Sequence, residues 1–323
     1  MIKPKVVITR RWPKAVEAAL VEDFDVTFNK QDRALTADEL KDAVHFADAV
    51  LPTVTDRIDA RVLDDANPRT KILANYGVGY SHIDIDSART HGITVTNTPD
   101  VLSECTADLT LTLMLMAARR ASEGEREVKT GAWSGWRPTH LLGSKVSGKT
   151  LGIIGFGRIG QEVAKRAHHG FGMRVLAFNR SPIAQDVLIK TGAESVASID
   201  ELLPQADFVS LHCPGGAANK HLIDCRRLGL MRESAFLINT ARGEVVDERA
   251  LVQALTFETI AGAGLDVFNG EPDVLPELRS CENAVLLPHL GSATLETREA
   301  MGFRVVQNLK DFFEGRAPRD LVA

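Results

Sequence analysis

Cysteine is scarce in this chain of 323 residues, and the four present, Cys105, Cys213, Cys225 and Cys281, form no C-x-x-C pair. Their scatter argues for neither a disulfide framework nor a zinc site, so no metal is expected, and the thiols are expected to be buried and reduced in a cytoplasmic protein. No block of lysine or arginine occurs, and a net charge of −5 with an isoelectric point near 6.0 speaks against nucleic acid as a partner. Long apolar runs are missing too. The nearest to one, Leu109 to Ala118, is shorter than a bilayer span and carries Thr110 and Thr112, so it reads as a buried helix and no membrane partner is expected. The opening Met1 to Thr9 runs straight into a strand and is too short and charged for a signal peptide. What remains is an ordinary soluble composition, 44% hydrophobic and 25% charged, in a chain too long for one core, which predicts two domains.

The first hundred residues alternate strand and helix signals. Val6 to Thr9, Asp25 to Phe28, Ala49 to Leu51 and Lys71 to Ala74 read as strands, and helices are predicted from about Pro13 to Glu22 and after the capping box Thr36-Ala-Asp-Glu39. A second alternation runs through Thr150 to Ile154, Arg174 to Phe178, Phe208 to Leu211, Ala235 to Asn239, Ala261 to Leu265 and Ala284 to Leu287. Such βα repeats imply parallel sheets, with ligands at the carboxyl ends of the strands. Met301, Val305, Val306 and Leu309 have helical spacing within Thr294 to Gly315.

The most informative stretch is Leu151 to Gly160, which joins a buried-strand pattern to Gly155-Phe-Gly157-Arg-Ile-Gly160 and a helix predicted over Gln161 to His168. Gly155 permits a tight turn, Gly157 lets the backbone approach a pyrophosphate, and Gly160 lets the helix pack on the strand. A purely structural turn is the competing reading. After the second strand, where NAD-binding versions place an acid, stand Asn179, Arg180 and Ser181. A carboxylate would repel a 2′-phosphate, whereas an amide, a guanidinium and a hydroxyl can donate to it, so NADP(H) is preferred over NAD(H) unless Arg180 is simply a solvated charge. His168 and His169 read as the exposed end of a helix.

Three strand-end segments carry candidate chemistry: Asn239 to Gly243 with Arg242, Leu265 to Pro272 with Glu271, and Leu287 to Ser292 with His289. Reduction of a ketone by hydride needs a proton donor, and histidine suits that task near neutral pH. A carboxylate can fix its tautomer, and an arginine can polarise a carbonyl or hold a carboxylate in a planar fork. Each also has a plain reading, as a loop residue, a turn or an ion-pair partner.

The motifs Gly155 to Gly160, Asn239 to Gly243, Asp266 to Pro272 and Pro288 to Thr294, with Asn75 to Gly79 and Thr98 to Leu102, resemble the signatures of the D-isomer-specific 2-hydroxyacid dehydrogenases. Thr106 to Leu109 and Trp133 to Pro138 are most similar to the glyoxylate/hydroxypyruvate reductases of that family. The resemblance implies two Rossmann-like α/β domains, flavodoxin-like and dinucleotide-binding, in a chain that crosses over twice. It places a substrate domain at 1–99 plus 289–323 and an NADP-binding domain at 100–288. It also implies His289 as general acid/base, Glu271 as its partner, Arg242 as substrate-binding and carbonyl-polarising group, and the backbone of Val78 and Gly79 as the substrate-carboxylate site. Successive N–H groups there would form an anion nest, although on its own Gly77-Val-Gly79 reads as a plain turn. Cofactor contacts are implied at Thr106, Arg158, Ile159, Cys213, Pro214, Thr240, Asp266, His289 and Gly291, beside the glycine loop. Asn219 stands where the family commonly has threonine. A homodimer is implied, with Trp136 either reaching a partner's active site or serving as a core or interface anchor.

These expectations describe an NADP-dependent oxidoreductase that reduces small 2-keto acids, glyoxylate to glycolate and hydroxypyruvate to D-glycerate. A 2-ketogluconate reductase or other D-2-hydroxyacid dehydrogenase, a phosphite dehydrogenase and a non-catalytic, dinucleotide-sensing relative of the corepressors are the alternatives. Glu271 argues against a formate dehydrogenase, which typically carries an amide there.

Overall fold

The computed structural model describes residues 2–64 and 68–323, so Met1 of the opening segment lies outside it. The chain divides into two compact units, Met1–Leu102 with Ala293–Ala323, and Ser103–Ser292. The fold is α/β, with two Rossmann-like parallel sheets.

In the first unit β1 (Lys5–Ile8), β2 (Asp25–Phe28), β3 (Ala49–Leu51), β4 (Ile72–Ala74) and β5 (Thr94–Thr96) form a sheet of order β2-β1-β3-β4-β5, all parallel. Strands β3 and β4 are buried at every position, as strands covered on both faces are. The capping box at Thr36 forms as its sequence predicts, with both hydrogen bonds to Glu39 present. Helix Leu295–Phe313 returns to this unit, capped by Thr294, and packs on helix Lys14–Asp23 where Gly302 lies against Val16. The terminal residues then bond to the outer strand, Val95 N–H donating to Ala323 O and Val322 N–H to Val95 O, which covers an otherwise open edge.

The second unit holds β6 (Thr150–Ile154), β7 (Arg174–Phe178), β8 (Ala193–Ser195), β9 (Phe208–Leu211), β10 (Phe236–Asn239), β11 (Gly262–Leu265) and β12 (Ala284–Leu286) in the order β12-β11-β10-β9-β6-β7-β8, again all parallel. Alternate residues feed two cores: Leu237 and Ala263 belong to one, Phe236 and Ile238 to the other with Leu113 and Met114 of helix Ser103–Ala118. That helix buries eight side chains, and no helix among the described residues is long and apolar enough to cross a membrane.

Two expectations need correction. None of the four cysteines is fully buried; Cys225 is exposed because it opens a short surface helix after its cap Asp224, and the others are half-buried at element ends. His168 is not an exposed terminus: it is half-buried, its Nδ1 lies 3.2 Å from Met173 O, and its ring covers Gly192, where a side chain would overlap it. Only His169 is exposed.

Candidate active site

In the seven-stranded sheet the chain leaves β6 toward β7 on one side and later returns as β9 on the other, a switch point whose strand ends form a crevice. The glycine loop lies there, and each glycine has a distinct steric reason. Gly155 has φ +95°, and a Cβ on it would come within 2.6 Å of Cys213 N and His212 C, so the turn and its closeness to the end of β9 both require its lack of a side chain. A Cβ on Gly160 would overlap Gly155 O, so helix Arg158–Lys165 can seat on the loop only with glycine there. Around Gly157 there is open space, and it stands as the exposed N-cap with no side chain capping the helix. Uncapped N–H groups at a helix start beside free volume fit a pyrophosphate. Arg158 is exposed and Ile159 half-buried in that first turn.

The end of β7 provides the second part. Asn179 Oδ1 accepts from Phe156 N–H at 3.1 Å and its Nδ2 donates to Ser181 O at 3.0 Å, so this amide ties the loop together. Arg180 and Ser181, which follow it, are both exposed. Arg180 has no ion pair or hydrogen bond among the described residues, and its charge bears on the Cys213 thiol, which burial pushes up to about 11. Pro214 and Asn219 belong to the same rim. Asn219 Nδ2 donates to Pro214 O at 2.8 Å, so the residue that departs from the family pattern clamps the loop.

The strand ends of β10, β11 and β12 bring the chemistry-bearing groups together. His289 has φ +56°, held by its own N–H donating to Asp266 O and by Asp266 Oδ1 and Oδ2 accepting from Leu290 and Gly291 N–H at 2.6 and 2.8 Å. Asp266, implied as a cofactor contact, thus has both oxygens engaged in shaping the histidine turn. Burial raises its carboxyl, as does the charge of Glu271, against those N–H groups and His289. His289 Nδ1 lies 2.7 Å from Glu271 Oε2, both side chains about one-third exposed. A carboxylate only accepts, so Nδ1 carries the hydrogen of this bond and Nε2 is left for a ligand. Burial works against the ionised form of Glu271, but His289, the N–H of Phe268 and the charge of Arg242 outweigh it, and its carboxyl lies below the usual range.

Arg242 is half-buried, with Nη1 donating to Ala241 O at 2.6 Å. Burial lowers its guanidinium from its ordinary value against the charges of Glu271 and Glu244. Its loop is shaped by Asn239, whose Oδ1 accepts from Ala241 N–H and whose Nδ2 donates to Arg242 O. Thr240 and Thr106 are tied from the other side: Thr110 Oγ1 lies 2.9 Å from Thr240 Oγ1, and Thr106 Oγ1 donates to Gly291 O at 3.0 Å. Glu244, Glu248 and Asn239 carry no role in the sequence reading. Glu244 stands only two residues beyond Arg242, the nearest sequence signal; Glu248 acts across a tertiary contact that spacing does not reveal.

In the first unit, the end of β4 leads into Tyr76-Gly-Val-Gly79. Its carbonyls are tied back, Gly77 O by Thr98 N–H, Gly77 O and Gly79 O by Asn75 Nδ2, and Val78 O by Asn97 Nδ2. Neither the Val78 nor the Gly79 N–H donates to another group among the described residues, which leaves two adjacent donors for an anion. Gly77 is not left-handed, so its turn is held by the bonded carbonyls. Trp136, in contrast, is 81% exposed, beyond a helix, Ala121–Lys129, that buries no residue. It is not a core residue of its own chain.

Residues 111–291 match the family described as "D-isomer specific 2-hydroxyacid dehydrogenase, NAD binding domain". The glyoxylate reductase of Thermococcus onnurineus is 46% identical over 325 residues, covering 99% of this chain and 96% of that protein. A structure of a D-isomer-specific 2-hydroxyacid dehydrogenase homologue from Polaromonas sp. superposes with a TM-score of 0.92 at 39% identity, covering 99% of this chain and 100% of that one. The NADPH-dependent glyoxylate/hydroxypyruvate reductase of Sinorhizobium meliloti, solved with NADP and malonate, gives a TM-score of 0.86 at 34% identity, covering 99% and 97%. With a matching family domain over more than half its length and full-length relatives at this identity, the chain belongs to the D-isomer-specific 2-hydroxyacid dehydrogenase family.

Proposed function

We propose that the protein is an NADPH-dependent reductase of small 2-keto acids, with glyoxylate and hydroxypyruvate as substrates. The observation that carries this reading is the Glu271–His289 pair beside Arg242, which offers one proton and one fixed cation at the strand ends. The second unit is read as the cofactor domain and the first as the substrate domain. NADPH, held by the glycine loop and by Arg180 and Ser181, would supply the hydride. Arg242 polarises the keto oxygen or holds a carboxylate in its planar fork, and within the first unit the Val78 and Gly79 N–H groups are read as donors to a substrate carboxylate. His289 donates the proton from Nε2 to the developing alkoxide, and Glu271 stabilises the cationic ring before that transfer. The glyoxylate reductase of Thermococcus onnurineus and the NADPH-dependent reductase of Sinorhizobium meliloti support this substrate and cofactor class. Exposed Trp133, Trp136 and Leu142 support a homodimer.

The test is to follow oxidation of NADPH and NADH separately with glyoxylate, hydroxypyruvate, pyruvate and 2-ketogluconate, using the wild type and R180A. Faster turnover of the two smallest 2-keto acids with NADPH is expected. R180A should weaken NADPH by about tenfold or more while changing NADH little, because one charge-assisted contact to the 2′-phosphate is removed. Equal weakening of both dinucleotides overturns the NADP assignment, and no turnover with any acid overturns the reading as a 2-keto acid reductase.

A further inference from the structure

Glu248 is a buried carboxylate that does not cap its own helix. Asp247 performs that task for helix Glu248–Thr256, accepting from Arg249 and Ala250 N–H at 3.1 Å. The Glu248 side chain turns away and accepts from Asn269 N–H at 2.6 Å. Asn269 lies in the turn Phe268-Asn-Gly-Glu271, closed by Phe268 N–H donating to Glu271 Oε1 at 2.9 Å, and Glu271 Oε2 reaches His289. The same turn also rests on Gly243, where a side chain would overlap the Phe268 carbonyl and Asn269 N. The turn is thus gripped by a carboxylate and by the backbone next to Arg242.

From this grip we infer that Glu248 is a positioning residue: through Asn269 it fixes the turn that presents Glu271 to His289. The inference rests on the proposed roles of Glu271 and His289. Burying an ion is costly, and here the cost is heightened because Glu271 carries a like charge nearby; burial and that charge both raise the Glu248 carboxyl. A helix that merely needed an apolar seat would be better served by leucine.

The experiment compares E248A, E248D and E248Q in steady-state turnover of glyoxylate with NADPH. Proton NMR follows the downfield resonance of the hydrogen-bonded imidazole N–H, assigned by its loss in H289Q. E248A should lower kcat about tenfold with KM within about twofold, as loss of an orienting outer hydrogen bond does. E248D, one methylene short of Asn269, should do the same, and both should broaden or lose the imidazole resonance. E248Q keeps an acceptor oxygen and should restore most of kcat and the resonance. Wild-type turnover and an intact resonance in E248D, even with a lowered thermal midpoint, would overturn the inference, as would an E248Q as impaired as E248A. If the wild type turns over no 2-keto acid, the functional reading fails while the resonance in E248D still decides the role of Glu248.

Discussion

At the scale of single residues, the second unit keeps two side chains free of their proton by different means, one as an anion and one as a neutral ring. His289 and Arg242 help hold Glu271 ionised, whereas His212 is kept neutral by burial alone, which lowers it from 6.5 to about 3. Its Nε2 meets Ser210 Oγ at 2.8 Å, and its Nδ1 is buried with no partner among the described residues. A histidine depressed in the fold contributes stability above its unfolded value of 6.5 and loses it progressively as pH falls toward 3, because the unfolded chain binds a proton that the fold refuses. H212N should therefore lose less thermal midpoint than the wild type between about pH 7 and about pH 4.5, even if its midpoint at pH 7 is lower. Parallel acid limbs for the two proteins in calorimetry would show that His212 does not titrate with unfolding.

At the scale of elements, the close crossing of helices Lys14–Asp23 and Leu295–Phe313 depends on one missing side chain. A Cβ on Gly302 would stand 2.5 Å from Val16 Cγ1 and 2.6 Å from Cγ2, and Val16 is fully buried. Alanine improves helix propensity by about 1 kcal/mol, but overpacking costs about 1–3, so G302A should be destabilised by about 1 kcal/mol net in denaturant titration. V16A should relieve it, giving a coupling of at least about 0.5 kcal/mol in a double-mutant cycle; additive effects would place the strain elsewhere. The same scale shows what spacing reveals. Strands β2, β6, β7 and β9 were legible to the residue, because each is a short run with turn chemistry on both sides. Strands β5 and β8 were not: they are outer strands of three residues, and two of the three in β8 are exposed. Helix Arg158–Lys165 begins three residues before the expected Gln161, since Gly157 already serves as its cap. The glycine loop was legible because its requirements belong to the backbone. Glu248 was not, because Asn269 reaches it only when segments distant in sequence meet; Asn239 bonds within its own loop, to Ala241 and Arg242, and its part there follows from the turn geometry.

At the scale of the whole molecule, each unit has its own sheet and core, and the glycine loop lies in Ser103–Ser292. A dinucleotide bound there stabilises the state that binds it, by about 2.7 kcal/mol at a hundredfold excess over Kd. Hydrogen exchange with saturating NADPH should slow β6, β9 and the first turn of helix Arg158–Lys165 more than β1 to β4, and equal or reversed protection would place the cofactor elsewhere. The division of the chain also sets an order of assembly. Everything required for the second sheet is contiguous, but the first unit takes helix Leu295–Phe313 and the residues that bond to β5 from a part synthesised after the second unit. A nascent chain can complete its middle while the strands made first still lack the helix that covers Val16 and the segment that closes their edge. The first sheet must therefore wait longer for its partner than the second, and is the more exposed of the two to misassembly on the ribosome.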